Sequence, residues 1–205
     1  AREHIQNINL LPHGSVTCVY DPVRELAESC AILAGGAHVA DTFEDLLAFE
    51  AVGAWVIVSP NYLHVPQLKQ NVAIRPLPIL CEKPLYTAAA DADVEALFKG
   101  YPHPVWVAME YRYMPPIAAL LERLDVATGG TKMLTIREHR FPFLEKVGDW
   151  HRFNHKTGGT LVEKCCHFFD LMRLALKSDP VRVMASAGQA VNHLDESYEG
   201  AVPDI

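Results

Sequence analysis

The chain has 205 residues, half of them apolar and about a fifth charged, so it carries enough apolar surface for a real core and falls in length between one large domain and two small ones. Its net charge of −7, with Lys and Arg scattered along the sequence, argues against nucleic acid as a partner, because no segment lines up cations to track phosphates. No apolar run approaches the roughly 20 residues that cross a bilayer, so no membrane partner is expected.

In chain order, Ser15 to Tyr20 reads as a short buried strand. Leu26, Ala27, Cys30, Ala31 and Ala34 follow at helical spacing, stopped by Gly35-Gly36. His38-Val39 fits a brief strand, and Thr42 to Asp45 fits a capping arrangement for a helix bearing Leu46 and Leu47. Ala54 to Pro60 is a third strand, followed by a helix from His64 to Ala73 and a strand from Leu77 to Cys81. A helix from Ala88 to Phe98 and a strand from Val105 to Met109 complete the run. Strands alternating with helices predict an α/β fold with a doubly wound parallel sheet.

After Tyr113-Met114-Pro115-Pro116 the character changes. A helix to about Leu124 is predicted, then Thr131 to His139 with the alternation of a one-face-exposed strand. Phe141 to Thr157 reads as a long loop, Thr160 to Leu176 as one helix behind Gly158-Gly159, and Val181 to Ala185 as a further strand. The expected division is a dinucleotide-binding unit over 1–113 and a substrate-binding α+β unit over 114–205. Five cysteines without a CxxC pair suggest reduced thiols and a cytoplasmic setting. The chain opens on Ala1-Arg2-Glu3-His4 without an initiator Met, so its start is expected upstream and a targeting peptide is left open.

Several polar residues fall where such folds bind ligands. Asp21 ends a strand where a carboxylate can accept hydrogen bonds from an adenosine ribose, although Asp before Pro is also an ordinary turn. Arg24 nearby could meet a 2′-phosphate, so NAD is favoured with NADP possible. Ser59, Pro60, Asn61 and His64 lie at the carboxyl end of the third strand, and Glu82-Lys83-Pro84 at the end of the next, on the edge where open α/β sheets take ligands. Each is also an acceptable turn. On a continuous helix, Glu163, His167 and Asp170 share one face, while Cys165 and Cys166 point elsewhere, so thiols and imidazole do not converge on a metal and no metal site is expected. The plain alternative is a surface pair on a helix.

Taken together, the motifs Ser59-Pro60-Asn61-Tyr62-Leu63-His64, Glu82-Lys83-Pro84, Glu110-Tyr111-Arg112-Tyr113-Met114-Pro115 and Gly158-Gly159 through Asp170 resemble the Gfo/Idh/MocA family of nicotinamide-dependent sugar and polyol oxidoreductases. The resemblance implies a Rossmann-like parallel sheet followed by a second domain with an open, mostly antiparallel sheet. It implies Asp21, Ser59, Pro60, Asn61, His64, Glu82, Lys83 and Arg112 around the cofactor, and Lys83, Glu163 and His167 in catalysis. His167 would be the general base and Lys83 the group that steadies developing alkoxide charge. Trp150, Arg152, His155 and Asp170 would face a polyhydroxylated substrate, a solvated loop being the other reading of residues 150–156.

Two departures stand out. Glu163 occupies a position where the family more often has Asp. The family's Gly-rich phosphate loop and its preceding strand would come before the first helix, at about Ala1, so the resemblance implies a piece shortened at both ends that binds the dinucleotide poorly. The implied function is hydride transfer between NAD or NADP and a sugar or cyclitol, by a homo-oligomer. A non-catalytic, sugar-responsive regulator of the same fold and an inactive fragment are the alternatives.

Overall fold

The computed structural model describes residues 1–88, 91, 93–138 and 147–186, without the side chains of Val147 and Arg152. Among these, five short strands form two parallel sheets. β1 (Cys18–Val19) pairs with β2 (His38–Val39). β3 (Trp55–Ile57), β4 (Ile79–Cys81) and β5 (Val105–Val107) pair in that order, with Trp55 opposite Ile79 and Ile79 opposite Val105. Parallel neighbours need a crossover between them. α2 (Arg24–Leu33) supplies one between β1 and β2, α4 (His64–Ile74) between β3 and β4, and α5 (Val94–Leu97) between β4 and β5.

The strands form where alternation gives them a buried face. In β3, Trp55 and Ile57 are buried and Val56 is exposed. Trp55 and Ile57 pack with Ile79 and Cys81 of β4, Val65 and Leu68 of α4, Val94 of α5 and Leu47 of α3 (Phe43–Ala48), which together make the core. α3 begins in a full capping box, the Thr42 hydroxyl accepting from Asp45 N–H while the Asp45 carboxylate accepts from Thr42 N–H. α1 (Arg2–Asn9) lies against α2. α6 (Pro115–Thr128) starts on two prolines and ends on Gly129 in the left-handed region, as such helices do.

Several expectations need correction. The strand expected over 131–139 is irregular chain through 138, with 139 outside the described residues, and the strand expected over 181–185 is irregular and exposed. Alternation marks a face, but a strand also needs a neighbour for its backbone hydrogen bonds. No described residue after Val107 supplies one. The antiparallel sheet expected for the second unit is therefore not seen among the described residues. The helix expected over 88–98 narrows to Val94–Leu97, with 89, 90 and 92 outside the described residues. In the expected loop, 141–146 lie outside the described residues, while Val147–Arg152 is a 3₁₀-type stretch kinked at Gly148 and Asp149, both at positive φ, and Asn154–Thr157 forms the short helix α7.

The last correction is functional. The helix expected over 160–176 is broken into α8 (Thr160–Glu163) and α9 (Cys166–Leu176). At the break Lys164 has φ −110° and the Cys165 N–H reaches back five residues to the Thr160 carbonyl, a widened turn of the kind that marks functional helices. Beside the break Lys164 is buried, with only 8% of the residue exposed.

Candidate active site

The loops that leave β3 and β4 at their carboxyl ends carry most of the site, and the broken helix closes over them. Gly158 and Gly159 make that approach possible. Gly158, at φ 81°, has a backbone so close to the 84–87 loop that a Cβ would lie 2.6 Å from the Thr87 carbonyl oxygen and 2.8 Å from Val162. Gly159, at φ 77° and ψ 174°, occupies a region open in practice to glycine alone. Together they bring Glu163 onto Lys83.

Lys83 donates to the Glu163 carbonyl at 2.8 Å and lies 3.5 Å from Oε1 of the same residue. Asn61, buried at the start of α4's approach turn (Asn61–Leu63), donates its amide to Glu163 Oε2. Glu163 is 4% exposed, so its carboxylate is held on both oxygens inside the protein. The surface-pair alternative does not hold, since His167 is only 2% exposed as well. Its ring lies flat against Tyr111, with centroids 4.2 Å apart and planes 7° apart, and its Nε2 is 3.4 Å from Glu110 Oε1. His167 Nδ1 is buried and has no hydrogen-bond partner among the described residues.

Burial, with the nearby ammonium groups of Lys83 and Lys164 adding to it, pulls the His167 pKa down to about 4. Burial pushes the Glu110 carboxyl up, and the charge of Glu82 adds to this. The imidazole is therefore neutral at physiological pH, a free base beside a lysine ammonium. Lys164 binds the Tyr111 hydroxyl, lies 4.5 Å above the centre of that ring and 3.6 Å from Glu138.

The other expected residues are distributed around this centre. His64 is fully buried, its Nδ1 2.7 Å from the Pro84 carbonyl oxygen and its Nε2 3.0 Å from that of Ser59. Burial pushes its pKa down despite those two carbonyls. It lies between the two loops that carry Asn61 and Lys83, and as a neutral imidazole it donates to one of the two carbonyls. The Ser59 hydroxyl is 2.6 Å from Gln67 Oε1 and Pro60 caps the turn. Glu82 is bound by His4 of α1 at 2.6 Å and by the Lys83 N–H; these partners hold its carboxyl below the usual range against the opposing effect of burial. Arg112 and Asp170, which the resemblance gives to cofactor and substrate respectively, grip each other through two hydrogen bonds. That pair pins α9 to the turn Glu110–Tyr113.

Trp150 meets Tyr62 edge-on at 6.4 Å, and Lys156 lies 5.7 Å above the Tyr62 ring, so α7 and the turn before it sit against the Asn61 turn. His155 is exposed beside Phe153. The Arg152 side chain lies outside the described residues. Asp21 stands on the separate β1–β2 sheet, where it accepts from the Val23 N–H at 2.9 Å. Arg24 is engaged by Glu28 and Asp41. Cys165 and Cys166 are half-buried and free. Among the described residues no helix is long and apolar enough to cross a membrane. Sequence reasoning missed Tyr111, Lys164, Glu110 and His4. Tyr111 and Glu110 had a signal as neighbours of Arg112 in one of the motifs, and Lys164 in its spacing of three from His167.

A parallel α/β sheet whose carboxyl edge gathers a lysine, a carboxylate and a buried neutral histidine defines the class of dinucleotide-dependent oxidoreductases. Residues 1–107 match the family model described as an oxidoreductase family with NAD-binding Rossmann fold, and residues 129–204 its C-terminal α/β domain. The chain belongs to the Gfo/Idh/MocA family.

Inositol 2-dehydrogenase of Corynebacterium glutamicum is 37% identical over 175 residues, which is 83% of this chain and 49% of that protein. The oxidoreductase YrbE of Bacillus subtilis is 25% identical over 194 residues, 92% of this chain and 54% of that one. A putative myo-inositol dehydrogenase from Sinorhizobium meliloti superposes with a TM-score of 0.76 at 24% identity, over 87% of this chain and 52% of that one. Myo-inositol dehydrogenase from Lactobacillus casei, solved with NAD(H) and myo-inositol, superposes at 0.67 with 22% identity, over 86% and 51%. The chain spans about half the length of the curated relatives it matches.

Proposed function

We propose that the protein is a dehydrogenase that moves a hydride between NAD, with NADP as the alternative, and a secondary hydroxyl or carbonyl of a cyclitol or sugar. The observation that carries this reading is the buried contact of Lys83 with Glu163 beside the neutral, part-unpartnered imidazole of His167. The donor set fits a nicotinamide cofactor, since a buried ring nitrogen is left open at the carboxyl edge of a parallel sheet. Asp21 would hold the adenosine ribose. The loops at Ser59–Asn61 and Glu82–Lys83 would flank the rest, with His64 bracing both. When bound, the dinucleotide supplies the hydride acceptor.

The residues then have separate tasks. His167 takes the hydroxyl proton as the carbinol carbon loses its hydride, and returns it in the reverse direction. Lys83 donates a hydrogen bond to the same oxygen as its charge grows. Glu163 offsets and orients the ammonium, and Asn61 fixes Glu163. Trp150, set against Tyr62, offers an apolar ring face to a polyhydroxylated ring, with His155 and Arg152 on the same segment and Asp170 held through Arg112. The inositol dehydrogenases among the relatives support a cyclitol substrate.

The test is to supply the full-length protein with NAD or NADP and a panel of cyclitols and sugars and to follow reduced-cofactor absorbance. Turnover is expected, and His167→Ala should lower kcat at least about 100-fold. Silence across the panel, or a His167→Ala enzyme of full activity, would overturn the reading.

A further inference from the structure

The contacts around His167 go beyond the three residues assigned to the reaction. Its imidazole is stacked almost coplanar on Tyr111, and the Tyr111 hydroxyl is bound by Lys164, whose ammonium also lies over the same ring. Phe168, from α9, closes on that ring at 6.2 Å and lies 5.9 Å from the Lys164 ammonium. Lys164 is 8% exposed and stands at the helix break after Glu163, three residues before His167. Burying a lysine side chain removes an ammonium from water, which costs several kcal/mol unless its partners offset it. Here the partners are a phenol oxygen, an aromatic face and Glu138.

We propose that Tyr111 and Lys164 are positioning residues for His167: the phenol ring fixes the plane of the imidazole, and the ammonium, bound to the phenol oxygen, fixes the phenol. This rests on the reading of His167 as the proton acceptor. Stacking leaves the imidazole free to slide in its own plane but not to tilt, so its lone pair keeps one direction toward the substrate oxygen. A base held in one orientation is worth about 100-fold in rate over one that wanders by an ångström.

Lys164 acts a second time through its charge. The charged groups facing the imidazole are Glu110 from the turn with Tyr111, Glu82 and Lys83 from the loop after β4, Lys164 from the helix break, and Asp170 from its own helix. Asp170 is engaged by Arg112, and Lys83 is partly balanced by Glu163. Lys164 therefore adds to Lys83 in keeping the ring unprotonated.

The experiment follows the His167 ring resonance of the histidine-labelled protein against pH, without substrate, in Lys164→Met, Lys164→Arg and Tyr111→Leu, and measures kcat and KM in parallel. Lys164→Met is expected to move the His167 midpoint upward, toward the ordinary histidine range, while Lys164→Arg keeps it low. Tyr111→Leu is expected to remove the ring-current shift and to lower kcat about 10- to 100-fold with KM little changed. An unmoved midpoint in folded Lys164→Met, or wild-type kcat in Tyr111→Leu, would overturn the proposal. Where Lys164→Met does not fold, Tyr111→Phe carries the test: it keeps the stack but deletes the oxygen, and a several-fold loss of kcat is expected where wild-type kcat would refute. Shifted resonances in a protein that turns over no substrate would overturn the dehydrogenase reading alone and leave the placement of His167 standing.

Discussion

Glu163 shows how much a single buried charge depends on its neighbours. Held by Lys83 on one side and Asn61 on the other, it loses little by being out of water, but either partner alone would lose a great deal. Glu163→Ala is expected to destabilise the protein by about 2–4 kcal/mol, because the Lys83 ammonium is left without its counter-charge. Lys83→Met together with Glu163→Met is expected to cost less than Glu163→Ala, since no charge is then stranded. Urea midpoints check the order of the two variants. Lys83, Glu163 and His167 were legible in the sequence because motif and spacing both point to them. Lys164 was not. A lysine after a glutamate in an amphipathic helix reads as solvated, although its i, i+3 spacing from His167 places it within about 60° of the imidazole on a continuous helix. Tyr111 was hidden for a different reason, since stacking between rings 56 residues apart in sequence depends on how the turn Glu110–Tyr113 meets α9.

Among the elements, the parallel strands and their crossovers follow directly from alternation and helical spacing, whereas the later strands do not form among the described residues because spacing says nothing about a neighbour. The Gly158-Gly159 step has the opposite character. Its sequence signal is two glycines, and its structural content is a close approach that no other residue permits. Gly158→Ala adds a Cβ 2.6 Å from the Thr87 carbonyl oxygen in a backbone already at φ 81°. It is expected to cost about 2 kcal/mol or more and to part α8 from the 84–87 loop, moving Glu163 off Lys83. Thermal unfolding and kcat measured together check this, since both should fall. An alanine variant as stable as wild type would show that the two segments can separate without loss.

For the whole molecule, the buried ionisable groups set how stability varies with pH. The His167 pKa falls from 6.5 to about 4 on folding, so the unfolded chain binds the proton first. Stability is constant above about pH 6.5, declines by about 3 kcal/mol as pH falls toward 4, and gains no further loss from this residue below that. His64, pushed in the same direction by burial, adds to the same decline. Glu82 works in the next window, because its folded pKa lies below 4.5, and the stability it contributes is present above 4.5 and lost as pH drops through that lower value. Denaturation midpoints between pH 7 and 4 should therefore fall in wild type and fall less in His167→Asn. Equal slopes would show that His167 is protonated in the folded state. His64 has one more consequence. Because a single buried imidazole is wedged between the loops of two neighbouring strands, neither loop can shift toward the other without displacing it. Asn61 and Lys83 ride on those loops, so pressure on either loop is met by the stiffness of both, and any drift at position 64 has to be matched on two strands at once.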